Sequence, residues 1–214
     1  MVGPHSRGHD TMTAREEILS RIRSALAEAP APEPVPRDYH RQPASGPGDV
    51  EFFAHTVDDY RAQVHRADES TVAEIVTGLI EEGARAVVPP DLPLSWRPRR
   101  DVVVDGAPAE LSTLELDALD VVVTGCTLGI AATGTIVLDG GAGQGRRALT
   151  LVPDHHICIV RTDQIVDTVP QAFQTLDATK PLTFISGPSA TSDIELNRVE
   201  GVHGPRTLDV VIVR

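Results

Sequence analysis

Two adjacent arginines, Arg146 and Arg147, close a run of glycines at Gly140, Gly141, Gly143 and Gly145. Glycines let backbone N–H groups come close to a ligand, and guanidinium forks match carboxylate or phosphate. The stretch therefore reads as an anion-binding edge. No Lys-Ser or Lys-Thr follows it, so it is not a P-loop, and the glycine spacing does not fit a dinucleotide fingerprint. A flexible connection between two strands is the plain alternative. A second stretch, Gly187-Pro-Ser-Ala-Thr-Ser-Asp193, offers Ser189, Thr191, Ser192 and Asp193, all good helix N-caps. Free N–H groups at such a helix start attract anions, although ordinary capping accounts for the same residues. In a third, Gly201-Val-His-Gly-Pro205, His203 lies between flexible and rigid neighbours. It could donate to a ligand or move a proton near neutral pH, the plain alternative being an inert loop histidine.

Other chemistry is poorly supported. His155 and His156 are adjacent on a predicted strand and so point to opposite faces; His156 and Cys158 share a face, but two ligands are too few for a metal. No metal site is expected. Two cysteines, Cys126 and Cys158, cannot supply the four thiolates of an iron–sulfur cluster. There is no Gly-x-Ser-x-Gly elbow, and Cys126 reads as a buried, inert thiol.

These residues need elements to hold them. Val121 to Thr124 reads as a buried strand, followed by a turn of small residues from Cys126 to Thr133. Gly134 punctuates it, and Thr135 to Leu138 is a second strand. Further strands are expected at Arg61 to Arg66, Ala86 to Val88, Asp101 to Asp105, Ala148 to Val152, Ile157 to Val160, Leu182 to Ser186 and Leu208 to Val213. Helices are expected at Val50 to Asp58, from a cap at Asp68 to Ser70 on to Glu82, at Thr113 to Ala118, and from Asp163 to Leu176, with one turn at Asp193 to Asn197. Short, continuously apolar strands alternating with helices predict an α/β sheet covered on both faces. Such sheets bind ligands at the carboxyl ends of their strands. Ahead of this domain, at 49–214, lie a polar segment at 1–12 that reads as disordered, an amphipathic helix arm at 13–28 opened by the capping box Thr13-Ala-Arg-Glu16, and a proline-rich linker at 29–48.

Composition narrows the partners. A net charge of −12 argues against a nucleic-acid binder, and aromatics at 3% leave no stacking platform. No apolar run approaches the roughly 20 residues of a membrane span. No secretory h-region is present, and the two cysteines suit a reducing compartment, so the sequence reads as cytoplasmic.

Four motifs occur in order: Ala131-Ala-Thr-Gly-Thr-Ile-Val-Leu138, Leu149-Thr-Leu-Val-Pro153 with His156, Gly187 to Glu195, and Gly201 to Pro205. Together they resemble the LUD-domain family in its lactate-utilisation C branch, from about Val50 to the C-terminus. The resemblance implies an open Rossmann-like sheet of the NagB/RpiA/CoA-transferase-like type with an N-terminal helical arm. It also implies a part in oxidising L-lactate to pyruvate beside two partner subunits that carry the iron–sulfur clusters, this chain binding no cofactor itself. The family pattern often has glutamate where this chain has Ala132, so covalent acyl transfer there is not expected.

The resulting reading is a cluster-free accessory subunit that grips a small anion. Thr133, Gly134 and Thr135 would floor the pocket. Ser189, Thr191 and the N–H groups near Asp193 would hold the anionic group. His203 would donate to it, and Arg146 or Arg147 would neutralise it from a mobile loop. A freestanding transferase or ligase on a phosphorylated or CoA-bearing substrate is the alternative, with Asp139, Asp193 or Glu195 as its carboxylate. A purely structural interaction protein is the third.

Overall fold

The computed structural model describes residues 13–27, 34–35, 48–188, 190–192, 198–200 and 204–214. The chain divides into two units, 1–39 and 40–214. The first carries α1 (Ala14–Leu26), opened by a capping box in which Thr13 Oγ1 accepts from the Glu16 N–H and the Glu16 carboxylate accepts from the Thr13 N–H at 2.8 Å. Ile18, Ile22 and Leu26 stand one turn apart on it and are all exposed.

The second unit opens with α2 (Val50–Asp59), β1 (Gln63–Ala67), α3 (Val72–Leu79), β2 (Ala86–Val88), β3 (Val102–Val104), α4 (Thr113–Asp117) and β4 (Val121–Thr124). A lobe follows, of β5 (Leu128–Ile130) and β6 (Thr135–Leu138), before β7 (His155–Arg161). Then come β8 (Ile165–Val166), α5 (Val169–Thr175), β9 (Thr183–Ile185), the hairpin β10 (Ala190–Ser192) and β11 (Arg198–Glu200), and β12 (Thr207–Val213). Six strands form one parallel sheet in the order β1-β12-β7-β4-β2-β3. The α/β architecture expected from the strand pattern is the one observed.

The core follows from strand parity. Val121, Val123, Ile157, Ile159, Val211 and Val213 face α3 and Trp96. Cys158, Val160, Val210 and Ile212 face α2 and a second sheet, ordered β8-β5-β6-β9. Burial on both faces is why the runs at 121–123, 157–160 and 210–213 are apolar at successive positions. Among the described residues, no helix is long and apolar enough to cross a membrane.

Four local expectations are corrected. Residues 148–152 are not a strand: Arg147–Thr150 is a 3₁₀ turn that drives Leu149 into an apolar cluster with Val87, Leu116 and Val122. The helix expected from Asp163 is interrupted, because Ile165 and Val166 pair with β5 and Pro170 starts a separate helix. The small-residue turn contains β5, where Gly129 leaves room for the Phe53 ring; a Cβ there would lie 2.9 Å from it. Residues 190–192 form a strand paired with 198–200, so Thr191 does not cap a helix. The turn expected at Asp193 to Asn197 lies outside the described residues.

Candidate functional site

In the six-stranded sheet β2 leads outward to β3, whereas β4 leads the other way, toward β7. The loops beyond β2 and β4 therefore leave in opposite directions, and the space between them is the topological switch point at the carboxyl edge, where open α/β sheets bind ligands. The glycine loop lies across this point. The Gly125 N–H, just past β4, donates to the Gly143 carbonyl at 2.8 Å, and the Gly143 N–H donates to Asp91, just past β2, at 2.9 Å. Gly140, Gly143 and Gly145 all take positive φ, of 69°, 71° and 69°. That left-handed backbone folds the chain tightly enough to fit there.

Asp139 is the hub of the loop. Its carboxylate accepts from Thr127 at 2.7 Å, the Gly141 N–H at 2.9 Å, Gln144 at 3.1 Å and Lys180 at 2.8 Å. Burial pushes this carboxyl up, but the Lys180, Thr127, Gly141 and Gln144 hydrogen bonds outweigh burial and hold it at about 2. The loop is thus pinned, not the mobile segment that its glycines suggest. Its sequence did not disclose this, because the partners Thr127 and Lys180 come from elsewhere in the chain.

A group depressed on folding stabilises the native state above its unfolded value, near 3.8 here, and that stability is lost as pH falls toward 2. Asp139→Asn should therefore lose about 2 kcal/mol at neutral pH and should show a smaller acid-induced drop between about pH 4 and 2. Urea titrations across that window measure both.

Arg146 is also part of the scaffold. Its guanidinium grips Asp105 with two bonds, at 2.7 and 3.0 Å, and donates to the Leu111 carbonyl. Asp105 is buried at the end of β3, where its own N–H donates to Val88 O. Burial raises the Asp105 carboxyl, and Arg146 with the Leu111 N–H more than reverses that, so the group sits below its ordinary value. Arg146 is spent on this pair and is not the free neutralising group expected from the sequence.

Arg147 differs. It is exposed, and its side chain has no hydrogen bond or ion pair with any of the described residues. It lines a groove of about 410 Å³ with Gln144, Gly145, Thr150 and Thr183. Among the described residues, no carboxylate, imidazole or thiol lines this groove.

The remaining site residues fall elsewhere. Thr133, Thr135 and Ser186 join their hydroxyls at 2.7 and 2.8 Å, at the far end of β6. Leu138, at the groove, is three residues along that strand, or about 10 Å away. Gly134 is no pocket floor: a Cβ there would lie 2.6 Å from the Thr56 carbonyl oxygen, so it is a packing glycine against α2. The sequence reading therefore joined two places that β6 separates. Ser189, Asp193 and His203 lie outside the described residues, and Thr191 is in β10.

The histidines fall on opposite faces, as adjacent strand residues must. His156 meets Thr124 at 2.8 Å, while His155 and His65 each meet buried Asp209 at 2.6 Å. Nothing local in the sequence marks Asp209 as their partner, because β1, β7 and β12 are far apart in the chain. Among the described residues, no group of three His, Cys, Asp or Glu stands where it could hold a metal ion.

Comparison with known proteins agrees with this architecture. The LUD domain family model matches residues 50–213. A "Lactate utilization protein C" of Deinococcus radiodurans is 43% identical over 212 residues, covering 95% of this chain and 97% of that protein. A protein of the same name from an Exiguobacterium species is 29% identical, with the same two coverages. The crystal structure of a DUF162 family protein from Deinococcus radiodurans superposes with a TM-score of 0.67 at 39% identity. The match covers 77% of this chain and 96% of that one.

Proposed function

The chain belongs to the LUD domain family, and we propose that it serves lactate utilisation as an accessory subunit that binds a small carboxylate in the glycine-loop groove. The names of its relatives support the process. The observation that carries the binding role is Arg147, an exposed cation with no hydrogen bond or ion pair among the described residues, lining a groove beside the pinned glycine loop that crosses the switch point. A guanidinium there offers a carboxylate two parallel donors. Thr150 and Thr183 add neutral hydroxyls that suit a hydroxyl or keto oxygen beside it.

Oxidising lactate to pyruvate removes the hydroxyl proton and the C2 hydrogen, two protons and two electrons in all. Among the described residues, the groove lining holds no carboxylate, imidazole or thiol that could take a proton. The electron transfer is therefore assigned to iron–sulfur partner subunits, and this chain holds no cluster of its own. The exposed Ile18, Ile22 and Leu26 stripe of α1 is the natural element for meeting those partners.

Calorimetric titration tests the reading. L-lactate or pyruvate should bind the purified chain, and Arg147→Ala should weaken binding at least tenfold, the effect of losing about 1.4 kcal/mol of charge-assisted bonding. Melting temperature should hardly change, since Arg147 is exposed. Deleting residues 1–48 should abolish capture of the iron–sulfur subunits while leaving that titration intact. A stronger response to coenzyme A esters or sugar phosphates than to either acid would replace this reading with the transferase one.

A further inference from the structure

The groove beside the glycine loop is larger than lactate needs. It holds about 410 Å³, inside the range of roughly 300–1,000 Å³ found for pockets that bury ligands much larger than a three-carbon acid. A Cβ built on Gly140, which lines it, would meet no atom within 4 Å, so the space is open on that side. The side chain of lactate is a single methyl group and leaves most of this room unfilled.

Most polar groups of the lining are engaged with the protein. Arg146 is held by Asp105 and the Leu111 carbonyl. Gln144 accepts the Asp139 N–H at 2.8 Å and donates to Thr127 Oγ1 at 2.9 Å. Thr150 donates its hydroxyl proton to the Arg147 carbonyl at 3.2 Å. Among the described residues, Arg147 and Thr183 are the two polar side chains of the lining that make no hydrogen bond. Leu138 and Pro181 add apolar side chains, and Gly140 adds none. One uncommitted cation, one uncommitted hydroxyl and a carbon wall match a ligand with one carboxylate, a polar atom next to it and a hydrocarbon tail.

Resting on the groove reading above, we infer that the groove selects 2-hydroxy and 2-oxo acids whose aliphatic side chain is longer than the methyl of lactate, with Pro181 as the specificity-determining residue. Arg147 takes the carboxylate, Thr183 meets the oxygen on C2, and the chain beyond C2 lies along Pro181 beside Gly140. Removing its methylenes from water supplies the preference. The Pro181 ring suits this task. It is exposed, so it has apolar surface to cover, and its rigidity means that no side-chain freedom is lost when a chain packs against it. Its neighbour Lys180 bonds Asp139 at 2.8 Å, which fixes this wall to the pinned loop.

Calorimetric titration of the full chain with L-lactate, L-2-hydroxybutyrate, L-2-hydroxypentanoate and L-2-hydroxyhexanoate tests the inference. Affinity should rise about threefold with each added methylene, and the heat-capacity change of binding should become more negative in step. Pro181→Ser should leave L-lactate affinity within about twofold of wild type and remove most of the gain along the series. Pro181→Leu, which keeps an apolar side chain, should retain that gain. Arg147→Ala should weaken every member by the same factor and leave the trend with chain length unchanged. Affinity that stays level or falls along the series, with L-lactate still bound, would overturn the inference and leave the groove reading standing. A rise that Pro181→Ser does not alter would overturn the assignment of Pro181 in the same way. Absence of binding by every acid in the series would reject the groove reading itself, and the inference with it.

Discussion

Gly134→Ala should destabilise the domain by about 3 kcal/mol, combining the cost of left-handed backbone with that of overpacking. Gly134 has a φ of 54°, and a Cβ would meet the Thr56 carbonyl carbon at 2.7 Å as well as its oxygen at 2.6 Å. Those atoms belong to the backbone of α2, so no rotamer change relieves the clash. α2 is also tied to this turn by Thr56 Oγ1, which donates to Ala131 O at 2.7 Å. Chemical denaturation measures the loss. The fraction that remains folded should bind L-lactate with wild-type affinity, which separates packing from ligand contact at this residue.

Arg146→Ala should cost a similar amount, about 3 kcal/mol, because it leaves a buried carboxylate without its cation. Asp105 is only 4% exposed and, among the described residues, keeps just the Leu111 N–H, at 2.8 Å, as a side-chain partner. The pH dependence identifies the cause. In the wild type the depressed Asp105 contributes stability above about pH 4, lost as pH falls. In the variant burial, the larger effect, opposes only the Leu111 hydrogen bond and raises the carboxyl, so protonation becomes favourable. The deficit against wild type should therefore shrink as pH falls toward the ordinary carboxylate range. A deficit independent of pH would mean that lost packing of the Arg146 stem, not the orphaned charge, sets the cost. Arg147→Ala, one residue away, should leave stability nearly unchanged.

The contrast between these neighbouring arginines shows how far the sequence could be read. The apolar runs at 121–123 and 210–213 are buried on both faces, and that requirement is written into each position. The sheet class was therefore legible. The glycine cluster lies at the carboxyl edge of that sheet, where its chain must turn tightly against backbone. The roles within the cluster were not legible. Asp105 fixes Arg146 from 41 residues away, and Thr127 and Lys180 fix Asp139, so tertiary partners decide which polar group is scaffold and which is free. Thr135 and Arg147 are near in sequence, yet β6 holds them apart, since an extended strand carries its two ends in opposite directions.

The local errors have similar causes. Ala148 to Val152 has strand composition, but Leu149 is buried fully by a 3₁₀ turn that a pairing partner does not reach. Ile165 and Val166 sit where helix periodicity continues through them, and pairing with Gly129 and Ile130 wins over that pattern.

The central claim is that the groove beside the glycine loop, and not the hydroxyl cluster at Thr133, Thr135 and Ser186, takes the carboxylate. Crystals of the full chain grown with L-lactate test it most directly. The account predicts the lactate carboxylate within hydrogen-bond distance of the Arg147 guanidinium, beside Gly145 and Thr183. Lactate bound instead against Thr135 and Ser186, with the Arg147 groove empty, would contradict it.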